Sequence, residues 1–381
     1  NEIETRKKRK AFGLNPFVKQ IDTLAAEYPA QTNYLYLTYN ATESDVEFNS
    51  KNAVIVLGSG AYRIGSSVEF DFCCVSAVKS LKEMGYSTIM INFNPETVST
   101  DYDECDRLYF DELSFEVVSD IYEMEKPLGL IVSMGGQIPN NLALKCFERG
   151  MNILGTTPEN IDRAEDRNKF SLLCDSLDIP QPEWRELKTI RQAIAFAKSV
   201  SFPVLVRPSY VLSGQAMAVA FNEEELEKYL NEATSLNEDY HVVVSKFILN
   251  AREVEIDAVA QKGEIAVLAV TEHIENAGIH SGDATMVLPP QKTYIETVRK
   301  MKEIAKKIAC HLQISGPYNI QFIAKENEVS VIEVNLRASR SMPFVSKVTG
   351  IDFIKLATLS IMGKELPLVN QVILDLDYVG V

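Results

Sequence analysis

Gln321-Phe-Ile-Ala-Lys325-Glu-Asn327-Glu-Val-Ser-Val-Ile-Glu333-Val-Asn335-Leu-Arg337-Ala-Ser-Arg340 alternates β-branched and polar residues, the pattern of a strand, a short turn and a second strand. Glu333, Asn335 and Arg337 are two apart, so on a strand they project from one face. A carboxylate, an amide oxygen and a guanidinium there suit a divalent metal and a phosphate: hard oxygen donors for the ion, a planar cation for phosphoryl oxygens. Gln321 on the preceding strand adds one more oxygen. An ordinary exposed strand with a polar outer face is the competing reading. Val331, Ile332 and Val334 argue against it, because a charged face in an otherwise buried strand pair needs a reason.

The register of this pair decides whether the donors meet. Directly paired residues of an antiparallel hairpin share a face. A two-residue turn at Glu326-Asn327 pairs Lys325 with Glu328 and sets Gln321 against Ile332, leaving Glu333 on the wrong side. A three-residue turn, Glu326 to Glu328, pairs Lys325 with Val329, Gln321 with Glu333 and Phe322 with Ile332. The second register is the expectation, with Asn327 or a neighbour left-handed.

Upstream, Ala53-Val-Ile-Val-Leu57, Ser87 to Phe93, Leu128 to Ser133 and a short Asn152-Ile-Leu-Gly155 are apolar runs alternating with helical patterns. They predict a parallel sheet with helices on both faces, binding ligands beyond the strands' carboxyl ends. Those ends carry Gly58, Asn94-Pro-Glu96, Gly135-Gly-Gln137 and Gly155-Thr156. Gly58, Gly60 and Gly65 do not make the dinucleotide fingerprint, since the third glycine is two positions late. Tight backbone approach is the expected use. Residues 1–50 read as a helical remnant of a preceding domain and a polar linker. The basic run Arg6–Lys10 reads as a solvated helix face.

A net charge of −15 over 381 residues excludes a broad nucleic-acid surface but not an anionic substrate, because Arg167, Arg207, Arg337 and Arg340 can line a local positive pocket. No apolar run is long enough to span a bilayer. Six cysteines without a CxxC read as buried, reduced thiols. Four histidines in all disfavour a histidine-rich zinc site. Between the first sheet and the metal pair, Phe202-Pro-Val-Leu-Val-Arg207-Pro-Ser209, the loop to Ala216 and a strand from Met217 to Phe221 read as a hairpin whose tip covers phosphates.

The strand pair at Gln321–Arg340 resembles that of ATP-grasp enzymes. With Gly58–Asp71, Asn94-Pro-Glu-Thr-Val-Ser-Thr-Asp101, Gly135-Gly-Gln-Ile-Pro-Asn-Asn141 and Gly278-Ile-His280-Ser281-Gly-Asp283, the chain is similar over nearly its whole length to the carbamoyl phosphate synthetase large chain, in particular its second half. The resemblance implies an α/β fold: a Rossmann-like pre-ATP-grasp domain over 51–161, then a two-lobed ATP-grasp fold over 162–366. In the latter a lid lobe covers about 175–245 and a metal and phosphate lobe about 246–366, with a tail at 367–381. It implies that Arg167 and Arg207 grip ATP phosphates, with Ser209 and Gly214 in the lid loop. Lys246, Phe247 and Ile248 would meet the adenine through backbone groups, Glu253 the ribose, and His280 with Ser281 the nucleotide. Gln321, Glu333 and Asn335 would bind Mg2+ or Mn2+, while Arg207, Arg337 and Arg340 would act on the phosphoryl group and the small acid. Ala61 and Leu336 stand where relatives often have proline, without displacing a functional group.

The implied reaction is carbamate plus ATP giving carbamoyl phosphate plus ADP. The implied partners are the remainder of a parent synthetase chain, with its first synthetase half and allosteric domain, and a glutaminase domain or subunit. A homo-oligomer is compatible, and nucleic acid and membrane are not expected. The compartment implied is the cytoplasm or the mitochondrial matrix, and the pathway pyrimidine synthesis, arginine synthesis or the urea cycle. Two rival readings are another ATP-grasp carboxylate ligase, such as a biotin carboxylase-like enzyme, and a non-catalytic nucleotide-binding regulatory half.

Overall fold

In the structure, a computed structural model, residues 2–22, 32–48, 51–62, 67–208, 218–234, 242–277, 284–369 and 376–381 are described. The chain begins with helix α1 (Glu2–Ala11), followed by strands β1 (Phe17–Gln20) and β2 (Tyr34–Thr38). These two strands correct the helical remnant and linker expected for residues 1–50. They pair antiparallel and extend the first sheet, where β2 runs parallel to β5 (Arg107–Tyr109). The rest of that sheet is β3 (Ala53–Leu57), β4 (Ser87–Ile91) and β6 (Gly129–Ile131), in the order β1-β2-β5-β4-β3-β6. β3 is buried at every position, as an apolar run covered on both faces must be. The expected strand at 152–155 is only a bridge between Ile153 and Leu130.

Helices α2 (Val68–Glu83) and α3 (Phe115–Glu125) join these strands, and the short α4 (Gln137–Asn140) and α5 (Ala143–Phe147) follow β6. α1 docks on α3 by charge: Arg6 and Arg9 reach Asp120, and Glu116 lies 3.1 Å from Arg9 Nε. Arg6 and Arg9 are only 14% and 13% exposed, so these two form an ion-paired packing face, while Lys7, Lys8 and Lys10 of the basic run are exposed. The glycine loops approach as expected. A Cβ on Gly135 would fall 2.3 Å from the Gly58 carbonyl oxygen. Five cysteines are buried and unpaired, but Cys310 is exposed.

α6 (Pro158–Glu165) and α7 (Arg167–Ser176) lead to a second sheet of β7 (Trp184–Leu187), β8 (Val204–Pro208), β9 (Ala218–Ala220) and β10 (Val242–Lys246), ordered β7-β10-β8-β9. β8 and β9 form the expected hairpin. α8 (Ile190–Val200) and α9 (Glu223–Thr234) close a separate core that includes Phe196, Val206, Leu226 and Val244.

The third sheet, wholly antiparallel, is β11 (Arg252–Gln261), β12 (Glu264–Asn276), β13 (Met286–Val287), β14 (Gly316–Lys325) and β15 (Glu328–Asn335), ordered β13-β12-β11-β14-β15. α10 (Ile295–His311) packs Met301, Ala305 and Ile308 with Ile256, Ile320 and Phe322 in one core. α11 (Met342–Thr349) and α12 (Phe353–Ile361) share another with Val259, Val267 and Ala269. Hydrogen bonds tie this sheet to the first: Ala338 N donates to Ser133 O at 2.8 Å, and Ser315 N donates to the Thr156 hydroxyl at 2.9 Å.

The β14–β15 hairpin reaches the expected pairing by a different route. Its turn holds two residues, so Lys325 pairs with Glu328, with Glu326 left-handed at φ 56. The ladder continues to Phe322 opposite Val331, then shifts, and Gln321 faces Glu333. Ile332 is the extra residue of a β-bulge. The three-residue turn and the Phe322–Ile332 pair are therefore corrected, while the Gln321–Glu333 pair stands. The cause is in the side chains. Val329, Val331 and Val334 are all buried, and their spacing of two then three fits the core face only if one residue is extruded.

Candidate functional site

Two cross-strand rows build the polar face of the third sheet. Glu255, Gln321 and Glu333 are paired across β11, β14 and β15; Asp257, Asn319 and Asn335 form the next row. Asn335 Nδ2 donates to Glu333 Oε1 at 3.2 Å, and an Arg337 guanidinium nitrogen donates to Asn335 Oδ1 at 3.0 Å. Gln321 Nε2 is 3.4 Å from Glu255 Oε1.

Arg167 arrives from the other side. Asp166 caps α7, its Oδ1 accepting from Lys169 N at 2.9 Å. That cap breaks the chain between α6 and α7, and the Arg167 guanidinium then lies 3.7 Å from Glu333 Oε2. Glu165, the last residue of α6, accepts from Asn140 Nδ2 at 2.8 Å and lies 3.8 Å from Arg337 Nε. Burial raises the Glu165 carboxyl, the Arg337 charge opposes that, and Glu333 adds to it. Gln321, Glu333, Asn335, Arg337 and Arg167 are thus brought together as expected.

The β11 side of this same face is buried and holds a polar network that the sequence reading did not identify. Asn319 Nδ2 donates to Glu255 Oε2 at 3.0 Å and to Asp257 Oδ1 at 2.9 Å; Ser339 Oγ donates to Asp257 Oδ1 at 2.5 Å. Burial, then the neighbouring Glu255 charge, pushes Asp257 up to about 6 against the hydrogen bonds from Ser339, Ser341 and Asn319. His273 Nε2 sits 3.1 Å from Glu255 Oε1. Burial would lower His273, but the hydrogen bond and charge of Glu255 raise it overall. The available signal was Glu253-Val-Glu255-Ile-Asp257, three acids at period two inside an apolar strand. Glu253 itself is buried, with donor atoms of Glu253, Glu255 and His273 all within 4.8 Å of one another.

The remaining candidates belong to the second sheet and its loops. Arg207 lies one residue before the end of β8, opposite Val243; its side chain lies outside the described residues, as do Ser209, Gly214, His280 and Ser281. Lys246 Nζ donates to the carbonyls of Ser201 and Phe202 at 2.7 and 3.2 Å. The backbone N–H groups of Lys246 and Phe247 donate to Glu183 O and Pro203 O. Those two N–H groups are therefore already committed within the protein. Arg340 follows Arg337 in the loop ahead of α11.

The donor chemistry fits magnesium. Gln321, Glu333 and Asn335 offer oxygen donors from two paired strands, and the Glu333 side chain is 37% exposed and reachable. Hard oxygen donors select Mg2+ or Mn2+ over softer metals.

Two family models match the chain: the carbamoyl phosphate synthase preATP-grasp domain over residues 50–163, and the carbamoyl-phosphate synthase L chain, ATP binding domain over residues 166–369. The multifunctional protein URA2 of Saccharomyces cerevisiae is 55% identical over 383 residues, covering 100% of this chain and 17% of the relative. The mitochondrial arginine-specific carbamoyl phosphate synthase large chain of Schizosaccharomyces pombe is 54% identical over 389 residues, covering 100% of this chain and 33% of its own. The chain thus spans a third or less of these relatives. Among solved structures, the biotin carboxylase domain of Hydrogenobacter thermophilus 2-oxoglutarate carboxylase, bound to MgADP, ADP and bicarbonate, superposes with a TM-score of 0.66 at 21% identity. It covers 84% of this chain and 71% of that one, and shows the shared ATP-grasp fold.

Proposed function

The chain belongs to the carbamoyl phosphate synthase large-chain family, an ATP-grasp ligase family, and on that premise we propose that it phosphorylates carbamate with ATP, as the second synthetase module of a carbamoyl phosphate synthetase. The supporting observation is the convergence of Gln321, Glu333 and Asn335 on one face, with Arg167 and Arg337 at its rim. Sequence likeness of Asn94–Asp101 and Gly278–Asp283 to the synthetase large chain favours this family's chemistry over that of a biotin carboxylase-like ligase.

In this reading a carbamate oxygen attacks the γ-phosphorus in line. The bond from that phosphorus to the bridging oxygen breaks, and ADP leaves. The protein supplies placement and charge. Arg167 and Arg207 hold ATP phosphates, and Arg337 with Arg340 holds the carbamate and the phosphoryl group as it arrives. Magnesium, held by Gln321, Glu333 and Asn335, would neutralise charge on the phosphates. Glu255 and Asp257, on the neighbouring strand, fix the Asn319 amide beside the donor residues. The parent chain's first half would supply carbamate, with ammonia coming from a glutaminase domain or subunit.

The test is the reverse reaction. Carbamoyl phosphate and MgADP should yield ATP. Bicarbonate-stimulated ATP hydrolysis without that synthesis would assign the other phosphorylation. MgADP binding with neither activity would point to a regulatory half.

A further inference from the structure

Arg337 is held at one edge and open at another. One terminal nitrogen donates to Asn335 Oδ1 at 3.0 Å. Its Nε is buried and has no hydrogen-bond partner. Glu165 Oε1 lies 3.8 Å from that nitrogen, too far for a hydrogen bond and near enough for a small shift to make one. Both side chains are largely shielded, Arg337 at 15% and Glu165 at 20% exposure.

Glu165 is itself anchored. Asn140, only 2% exposed in α4 of the first domain, donates to Glu165 Oε1 at 2.8 Å. Glu165 also ends α6 immediately before the Asp166 cap, so the same helix break sets Arg167 beside Glu333. From this geometry we propose that Glu165, held by Asn140, is a positioning residue that orients Arg337 for the acyl phosphate and couples the pre-ATP-grasp domain to the phosphoryl site. The proposal rests on the reading of Arg337 given above.

The physical reason is the shape of the guanidinium. A planar fork fixed along two edges leaves its remaining N–H groups aimed one way. An arginine on a loop would otherwise lose rotamer freedom when substrate binds. Fixing it beforehand makes its charge available without reorganisation at the moment of transfer. The 3.8 Å separation lies just beyond hydrogen-bond range, so the Glu165 charge acts on the guanidinium even before a hydrogen bond forms.

The experiment compares Glu165→Gln, Arg337→Ala and the double variant in ATP synthesis from carbamoyl phosphate and MgADP. Glu165→Gln should lower kcat/KM for carbamoyl phosphate about 10- to 100-fold, the scale of a misplaced catalytic group. Its KM for MgADP should stay within about twofold of the parent's, since uniform binding is not what was removed. In the Arg337→Ala background, Glu165→Gln should cause no further loss. Should Glu165→Gln fail to fold, Glu165→Asp, which keeps the charge but draws it back, should show the same selective loss at intermediate size. Parallel changes in both KM values, an additive double variant, or no change while Arg337→Ala is inactive would overturn the proposal. Full activity in Arg337→Ala would instead remove Arg337 from the site, which is the failure of the underlying reading.

Discussion

Gln321 and Glu333 face each other across β14 and β15 because Ile332 is extruded between the Gln321–Glu333 and Phe322–Val331 pairs. The two-residue turn alone would have set Gln321 against Ile332 and turned Glu333 toward the core, where α10 packs. One extra residue reverses the face of everything after it. The donor set therefore depends on the bulge as much as on the identity of the donors.

Glu333→Gln should leave the protein folded, since Glu333 lies on the open face, while raising the magnesium concentration for half-maximal ATP synthesis at least about tenfold through loss of a charged hard donor. A magnesium titration alongside a thermal melt checks this. A collapsed melting temperature with normal magnesium dependence would mean that Glu333 is structural.

Arg207→Ala should cut ATP synthesis from carbamoyl phosphate by at least about a hundredfold, because a preorganised charged donor to a transferring group is commonly worth ~3 kcal/mol. Single-turnover rates at saturating MgADP are the measurement. An unchanged rate would take Arg207 out of the site.

Asp111 follows β5, and its Oδ2 accepts from Leu37 N at 2.9 Å. Burial pushes it up to about 6, with Glu112 adding and the Leu37 N–H opposing. A carboxyl with a raised folded pKa binds more protons when folded, so its contribution to stability falls as pH rises between about 4 and 6. Asp111→Asn keeps an acceptor for Leu37 and removes that dependence. It should be more stable than the parent by about 1 kcal/mol at pH 8, after allowance for solvent screening, with no gain below pH 4. Denaturant melts at the two pH values decide it.

Gly135→Ala should be strongly destabilising, because the new Cβ would sit 2.3 Å from Gly58 O and 2.6 Å from Leu57 O, both backbone atoms. Backbone cannot rotate away as a flexible side chain can. A loss of about 3 kcal/mol or more is expected from overpacking of this kind. A melting temperature within about 1 °C of the parent's would show that the two loops are free to separate.

The ATP-grasp hairpin and its donors were readable because period-two alternation and chemical type coincide there. The bulge was written in the same stretch, as Val329, Val331 and Val334, but a turn-length argument alone overlooked it. β1 and β2 were missed because each buries a single residue, Val18 and Leu35, and so neither gives the continuous apolar run that marks β3; β2 is held as a strand by β5 alongside. Glu165 and Asn140 could not be connected to Arg337 from the sequence, since no local period links the ends of two helices, α4 and α6, with a strand exit. Long-range ion pairing likewise turned Arg6 and Arg9 from a solvent face into a packing face.

The sheet β7-β10-β8-β9 carries its own apolar core, while the first and third sheets are joined by the hydrogen bonds Ala338–Ser133 and Ser315–Thr156. A core of its own predicts that this sheet unfolds as a cooperative unit separate from the other two. Calorimetry should resolve two transitions, or one whose van't Hoff enthalpy falls short of the calorimetric value. A nucleotide bound between the units would draw their melting together, because it is lost when either unit unfolds.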